Sequence, residues 1–164
     1  MTNTKCVSFN TGNYGNENLL IQDVIIRNTE EPGIKLKIEF FVKNYEDNKK
    51  NYKKYTDCFL NQEEAEELLD IIDKEKGELK LLDDNTKITI MPSSFQERLY
   101  GKEMNIIPGT LINIERFNED KTFPATTICN AATIDMIYHY IYSWLDALRE
   151  KEKEEESKAE KIDV

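Results

Sequence analysis

The residues of this chain best suited to chemistry are ten lysines and tyrosines at or between positions 35 and 55: Lys35, Lys37, Lys43, Tyr45, Lys49, Lys50, Tyr52, Lys53, Lys54 and Tyr55. Lysines attract phosphate and release its counterions, while tyrosine faces give unpaired bases a surface on which to stack. Together they suit single-stranded nucleic acid. The stretch 43–55 holds five lysines against Glu46 and Asp47, in a chain whose formal charge is −10. A solvated loop between strands is the structural account of the same residues.

The opposite sign gathers directly afterwards. Residues 61–78 carry eight acids against Lys74 and Lys76. At helical spacing, Glu63, Glu64, Glu66, Glu67, Asp70 and Asp73 form a carboxylate row, which can imitate a phosphate backbone toward a basic protein partner. The partner contacts expected are Glu63, Glu66, Glu67 and Asp70. Solvation and complementarity to a helix dipole account for the same acids without a partner. A third group, Met136, Tyr140 and Trp144, recurs every four residues and reads either as core or as a homodimer interface, since methionine and aromatic rings are enriched at interface cores.

Catalytic patterns are missing. His139 is the sole histidine, so a metal cluster would need Asp, Glu and Cys partners that show no ligand spacing. Asp83-Asp84-Asn85 lacks the remaining positions of a calcium loop and reads as a turn. The chain has no phosphate-binding glycine loop, no dinucleotide fingerprint and no nucleophile elbow. The expectation is a binding protein with no enzymatic activity, cofactor or metal.

Composition sets the class. With 164 residues the chain can bury a core without staples, and Cys6, Cys58 and Cys129 are too few and too far apart for a disulfide framework. No signal-peptide pattern opens the sequence, and no apolar run approaches the about 20 residues of a membrane span. A soluble, cytoplasmic protein is expected, with no membrane partner. Abundant Ile, Asn and Lys with only four Arg suggest an AT-rich bacterial, phage or plasmid source.

The elements that must position these residues come in two similar sets. A shift of 69 positions lays Asn61 on Asn130, Ala65 on Ile134, Leu68 on Ile137, Leu69 on Tyr138 and Ile72 on Ile141. In each set an extended segment passes into an amphipathic helix capped by asparagine. Strands are predicted at Leu19–Arg27, Ile34–Lys43 and Tyr55–Leu60 before a helix at 61–76. Ile34, Leu36, Ile38, Phe40 and Val42 alternate with polar residues to mark the strand at 34–43. Further strands are predicted at Leu79–Leu82, Lys87–Met91, Met104–Ile107, Thr110–Phe117 and Thr122–Cys129, with Pro32-Gly33 and Pro108-Gly109 read as turns. The last helix is predicted over 131–149, with Ile134, Ile137, Tyr138, Ile141, Leu145 and Leu148 on one side.

The fold class expected is α+β, with two antiparallel β-meander-plus-helix units packed as one domain and a long C-terminal helix. Residues 1–18 read as a flexible arm, 19–149 as the domain (units 19–77 and 78–149), and 150–164 as a charged tail that begins as a fraying helical extension, where pairs such as Glu154 and Lys158 favour helix. Leu19–Ile72 and Leu79–Leu148, in that order of strands and helix, resemble the Whirly-type and purine-rich-element-binding families. In those families tandem strand-and-helix repeats bind single-stranded DNA or RNA, often as dimers or larger oligomers. The resemblance implies single-stranded nucleic-acid binding and transfers no individual binding residue. The alternative function is an acidic interaction protein, such as a phage or plasmid inhibitor or immunity protein, that targets a basic nucleic-acid enzyme.

Overall fold

In the computed structural model the chain builds one arrangement twice, four antiparallel strands followed by a helix. The structure describes residues 6–12, 17–27, 29–43, 51–82, 85–99, 103–118 and 121–162. The first sheet orders β1 (Cys6–Thr11), β2 (Glu17–Ile25), β3 (Pro32–Lys43) and β4 (Asn51–Leu60), and α1 (Gln62–Lys74) follows. The second orders β5 (Gly77–Lys80), β6 (Thr86–Leu99), β7 (Glu103–Asn118) and β8 (Lys121–Cys129), followed by α2 (Ala131–Ile162). This is the expected α+β class with its long C-terminal helix. Among the described residues, no helix is long and apolar enough to cross a membrane.

Alternation along the strands decides which face is buried. Ile34, Leu36 and Ile38 point inward, beside Leu60 and Cys58 of β4 and Ile21 and Leu19 of β2. In the second sheet Ile88 and Ile90 stand opposite Ile114 and Ile112, all four buried. Ala65, Leu68, Leu69 and Ile72 of α1 and Ile137, Ile141 and Leu145 of α2 join them in one core. Removing this apolar surface from water is the main source of stability.

Polar contacts set how the units meet. Thr127 donates from Oγ1 to Thr11 Oγ1 at 2.6 Å inside the protein, and the Gly12 amide donates to the Ile128 carbonyl at 2.8 Å. Arg149 of α2 donates to Glu66 of α1 at 2.9 Å, and the Tyr138 hydroxyl donates to Asp73 at 3.2 Å.

Both helices begin as the repeat predicts. Asn61 Oδ1 accepts from the Glu64 amide and Asn130 Oδ1 from the Thr133 amide, each at 2.8 Å. Only the first cap is reciprocated, because the equivalent of Glu64 is Thr133. Glu64 Oε1 accepts from the Asn61 amide at 3.0 Å, and its Oε2 accepts from the Leu82 amide at 2.9 Å. One buried carboxylate therefore ties the start of α1 to the chain that leaves β5.

Several expectations are corrected. Cys6–Thr11, read as part of a loose arm, pairs with β2 as the edge strand β1. Its Val7 and Phe9 pack against the core, a period-two signal too short to stand out among Asn and Ser. Asn51–Lys54, read as loop, belongs to β4, because the β3 ladder continues to Lys43↔Asn51. Residues 103–118 form one strand rather than two, and Ser93–Leu99, which showed no period, pairs with it. The helical extension expected beyond Arg149 is present, by contrast, and carries α2 to Ile162.

The two Pro-Gly pairs, read as turns, account for the late start expected for β3 and for the break expected in β7. Pro32-Gly33 and Pro108-Gly109 lie within strands, and each precedes the residue opposite the last residue of the helix-feeding strand, Ile34↔Leu60 and Thr110↔Cys129. A Cβ on Gly33 would lie 2.9 Å from the Leu60 carbonyl oxygen, and one on Gly109 3.0 Å from that of Cys129. Glycine is thus required by close backbone approach at equivalent points of the two units, not by a turn. Past these points the hairpins differ. β2 and β3 stop at Pro32↔Ile25, whereas β6 and β7 run on to Glu103↔Leu99 as a two-stranded ribbon.

Glu64→Ala leaves the Asn61 and Leu82 amides without their acceptor, and we expect a loss of about 2 kcal/mol in urea unfolding. Asn130→Ala removes a single cap bond and should cost about 1 kcal/mol.

Candidate nucleic-acid interface

The outer face of the first sheet carries the sequence-predicted residues that the fold brings together. On β3 the positions between the buried isoleucines and leucine belong to Lys35 and Lys37, and β4 sets Phe59, Asp57 and Tyr55 opposite Lys35, Lys37 and Glu39. Lys37 Nζ stands 4.5 Å from the centre of the Tyr55 ring, and Lys35 Nζ 6.0 Å from that of Phe59. Cations over ring faces are held by the ring quadrupole and shield little of the ring edge. Tyr55 stays 57% exposed and Phe59 36%. Carboxylates temper the charge, with Lys35 3.8 Å from Asp57 and Lys37 3.6 Å from Glu39.

Beside this face lies a groove of about 530 Å³ between β4 and the β7–β8 hairpin, lined by Tyr55, Thr56, Asp57, Asn85, Arg116, Phe117, Asn118 and Phe123. Arg116 donates from Nη1 to Asp57 Oδ1 at 3.0 Å. The backbone that carries the groove's rings is tied by hydrogen bonds. The Phe117 amide donates to the carbonyl of Asn85, whose φ of 48° is one asparagine tolerates, and the Thr56 hydroxyl donates to the Phe123 carbonyl at 3.2 Å. Both rings remain open to solvent, at 40% for Phe117 and 49% for Phe123.

Of the other expected contacts, Lys54 is exposed but alternates to the opposite side of β4 from Tyr55. Lys43, Tyr52 and Lys53 take their places in the β3–β4 ladder by backbone register. Tyr45, Lys49 and Lys50 lie outside the described residues. Phe59, Arg116, Phe117 and Phe123 went unnoticed in the sequence. Phe59 could have been found, since it alternates in phase with Tyr55 along a predicted strand. The groove joins segments about 60 residues apart and has no local signature.

The acidic face of α1 presents Glu63, Glu67 and Asp70 to solvent, while Glu66 is engaged by Arg149. On α2, Tyr140 and Trp144 are partly buried and line a groove with Val7 and Phe9 of β1, where the Tyr140 hydroxyl donates to Asp23 at 2.7 Å. Met136 stays exposed at the rim, as does His139. Among the described residues, no three His, Cys, Asp or Glu side chains are grouped to hold a metal ion.

Comparison of the chain with protein-family models, with curated proteins and with solved structures found no match in any of the three.

All three cysteines are free thiols. Burial holds Cys58 protonated far above the ordinary thiol range, helped by Asp57, and burial pushes Cys129 up to about 12. Exposed Cys6 should therefore react alone with dithionitrobenzoate in the native protein, and all three after unfolding in urea. The sign for stability follows. The unfolded chain loses these protons above about pH 9 while the folded one retains them, so these thiols should lower the urea midpoint as pH rises from about 9 to 11 and leave it unchanged between about 7 and 8.

Proposed function

We propose that this protein binds single-stranded nucleic acid on the outer face of its first sheet, as a cytoplasmic, non-enzymatic protein of bacterial or phage origin. The observation that carries the reading is the pairing of two ammonium groups with two rings, Lys37 with Tyr55 and Lys35 with Phe59, on the outer face of the first sheet, where the rings are exposed and the lysines partly so. Ammonium groups answer the phosphates, and sequence-tolerant stacking answers the bases. An open sheet presents both at the repeat of an extended strand, whereas a duplex hides its base faces. The tandem order of strands and helix, which resembles that of Whirly-type proteins, supports the same reading.

A second reading is favoured by the carboxylates of α1. Glu63, Glu67 and Asp70 are exposed on one helix and would fit a basic protein, as an inhibitor or immunity protein requires. A homodimer through α2 would use Met136, which is 55% exposed.

Fluorescence anisotropy with labelled single-stranded and duplex oligonucleotides across a salt series separates these readings. Salt-dependent binding that prefers the single strand is expected. Lys35→Glu with Lys37→Glu should weaken it at least about tenfold and reduce the salt slope by about 1.4, the value for two lost phosphate contacts on a single strand. Glu63→Lys with Glu67→Lys and Asp70→Lys should leave it intact or strengthen it. Absence of binding at low salt would reject the nucleic-acid reading, and capture of a basic nucleic-acid enzyme that is lost in the α1 variant would establish the second.

A further inference from the structure

We propose that the groove between β4 and the β7–β8 hairpin is a nucleotide subsite: one unstacked base lies against the exposed rings of Phe117, Phe123 and Tyr55, and its phosphate takes Arg116 from Asp57. The inference rests on the single-strand reading and deepens it.

Three observations converge on this place. The first is that three exposed rings line one groove together with Asn85 and Asn118. Isolated exposed rings are ordinary on a protein surface, but rings grouped with side-chain amides offer both the stacking and the edge hydrogen bonds by which splayed-out bases are recognised. The second is that the backbone carrying the rings is tied down before any ligand arrives, at Phe117 by the Asn85 carbonyl and at Phe123 by the Thr56 hydroxyl. Such preorganisation lowers the ordering cost of binding.

The third is the charge arrangement around Asp57. One carboxylate faces two cations, Arg116 at 3.0 Å and Lys35 at 3.8 Å. The guanidinium is a planar donor suited to phosphate as well as to carboxylate, so an incoming phosphodiester competes with Asp57 for the same fork. The exchange sets one anion in the place of another at that guanidinium and leaves Asp57 beside Lys35. Tyr55 lines the groove and also stacks with Lys37 on the open sheet, which makes the path of a strand continuous from one to the other. The volume of about 530 Å³ falls in the range of small-molecule sites.

Asp57 acts in this arrangement as a built-in competitor, and its removal gives a result that a merely structural carboxylate would not. The test uses the full chain with a single-stranded oligonucleotide carrying 2-aminopurine, whose fluorescence reports stacking. Asp57→Asn should tighten binding several-fold, and Phe117→Ala with Phe123→Ala should weaken it about tenfold and restore the 2-aminopurine emission. Far-ultraviolet circular dichroism and urea midpoints check folding, and Phe117→Leu with Phe123→Leu, which keep apolar bulk without the ring, replace the alanines if these unfold. Unchanged affinity and quenching in the phenylalanine variants, while Lys35→Glu with Lys37→Glu abolishes binding, would overturn the subsite and leave the sheet face standing. Weaker binding by a folded Asp57→Asn protein would overturn the competitor role. No oligonucleotide binding by the unaltered protein would reject both.

Discussion

Each sheet has a single apolar face, and the structure depends on closing the two faces into one core with one helix from each unit. Leu19, Ile21, Ile34 and Ile38 on one side and Ile88, Ile90, Ile112 and Ile114 on the other belong to the same buried cluster. Polar atoms trapped where the units meet must find partners, and the Thr11–Thr127 bond meets that demand. Because burial consumes the inner faces, the outer face of each sheet is left to polar and partly exposed side chains and to whatever the protein binds. The candidate interface follows from that division.

The frame is repeated, but the surface on it is not. A shift of 69 residues carries Tyr55, Asp57 and Phe59 onto Pro124, Thr126 and Ile128. In place of cations over rings, the second sheet has a hydrogen-bond relay in which Thr126 donates to Asn113 and Asn113 donates to the Glu115 carboxylate, both at 2.6 Å. Matching cores with different exteriors mean that the two units share folding constraints and not surface chemistry. The acidic mean charge of the chain is compatible with a local basic site for the same reason, since α1 keeps much of its acid on a separate element.

What the sequence discloses depends on the length over which a period persists. Both helices, their asparagine caps and the strand at 34–43 were legible because several turns or alternations repeat the same signal. β1 is six residues long with Asn and Ser on its outer positions, and only packing of Val7 and Phe9 makes it a strand. Missing β1 also left Tyr140 and Trp144 without an intramolecular partner, which is why their stripe read equally well as a dimer face. Pro-Gly signals a turn locally, yet here the demand comes from a carbonyl about 20 to 30 residues away in the chain, a constraint no short window contains. The lysine and tyrosine contacts were half legible. Their alternation on β3 and β4 could be read, whereas the arginine and two phenylalanines reach them only through the fold.

The β6–β7 ribbon has a consequence for the behaviour of the protein at high concentration. The β5 ladder ends at Ile90 and the β8 ladder at Thr110, so among the described residues no strand pairs with the ribbon's margins past those points, and they offer main-chain groups to any passing strand. Pro92 and Pro108 stand two residues past those limits, one on each margin, and proline supplies no N–H to a new ladder. The long ribbon can therefore run past the ends of β5 and β8 without becoming a template on which further copies of the chain assemble.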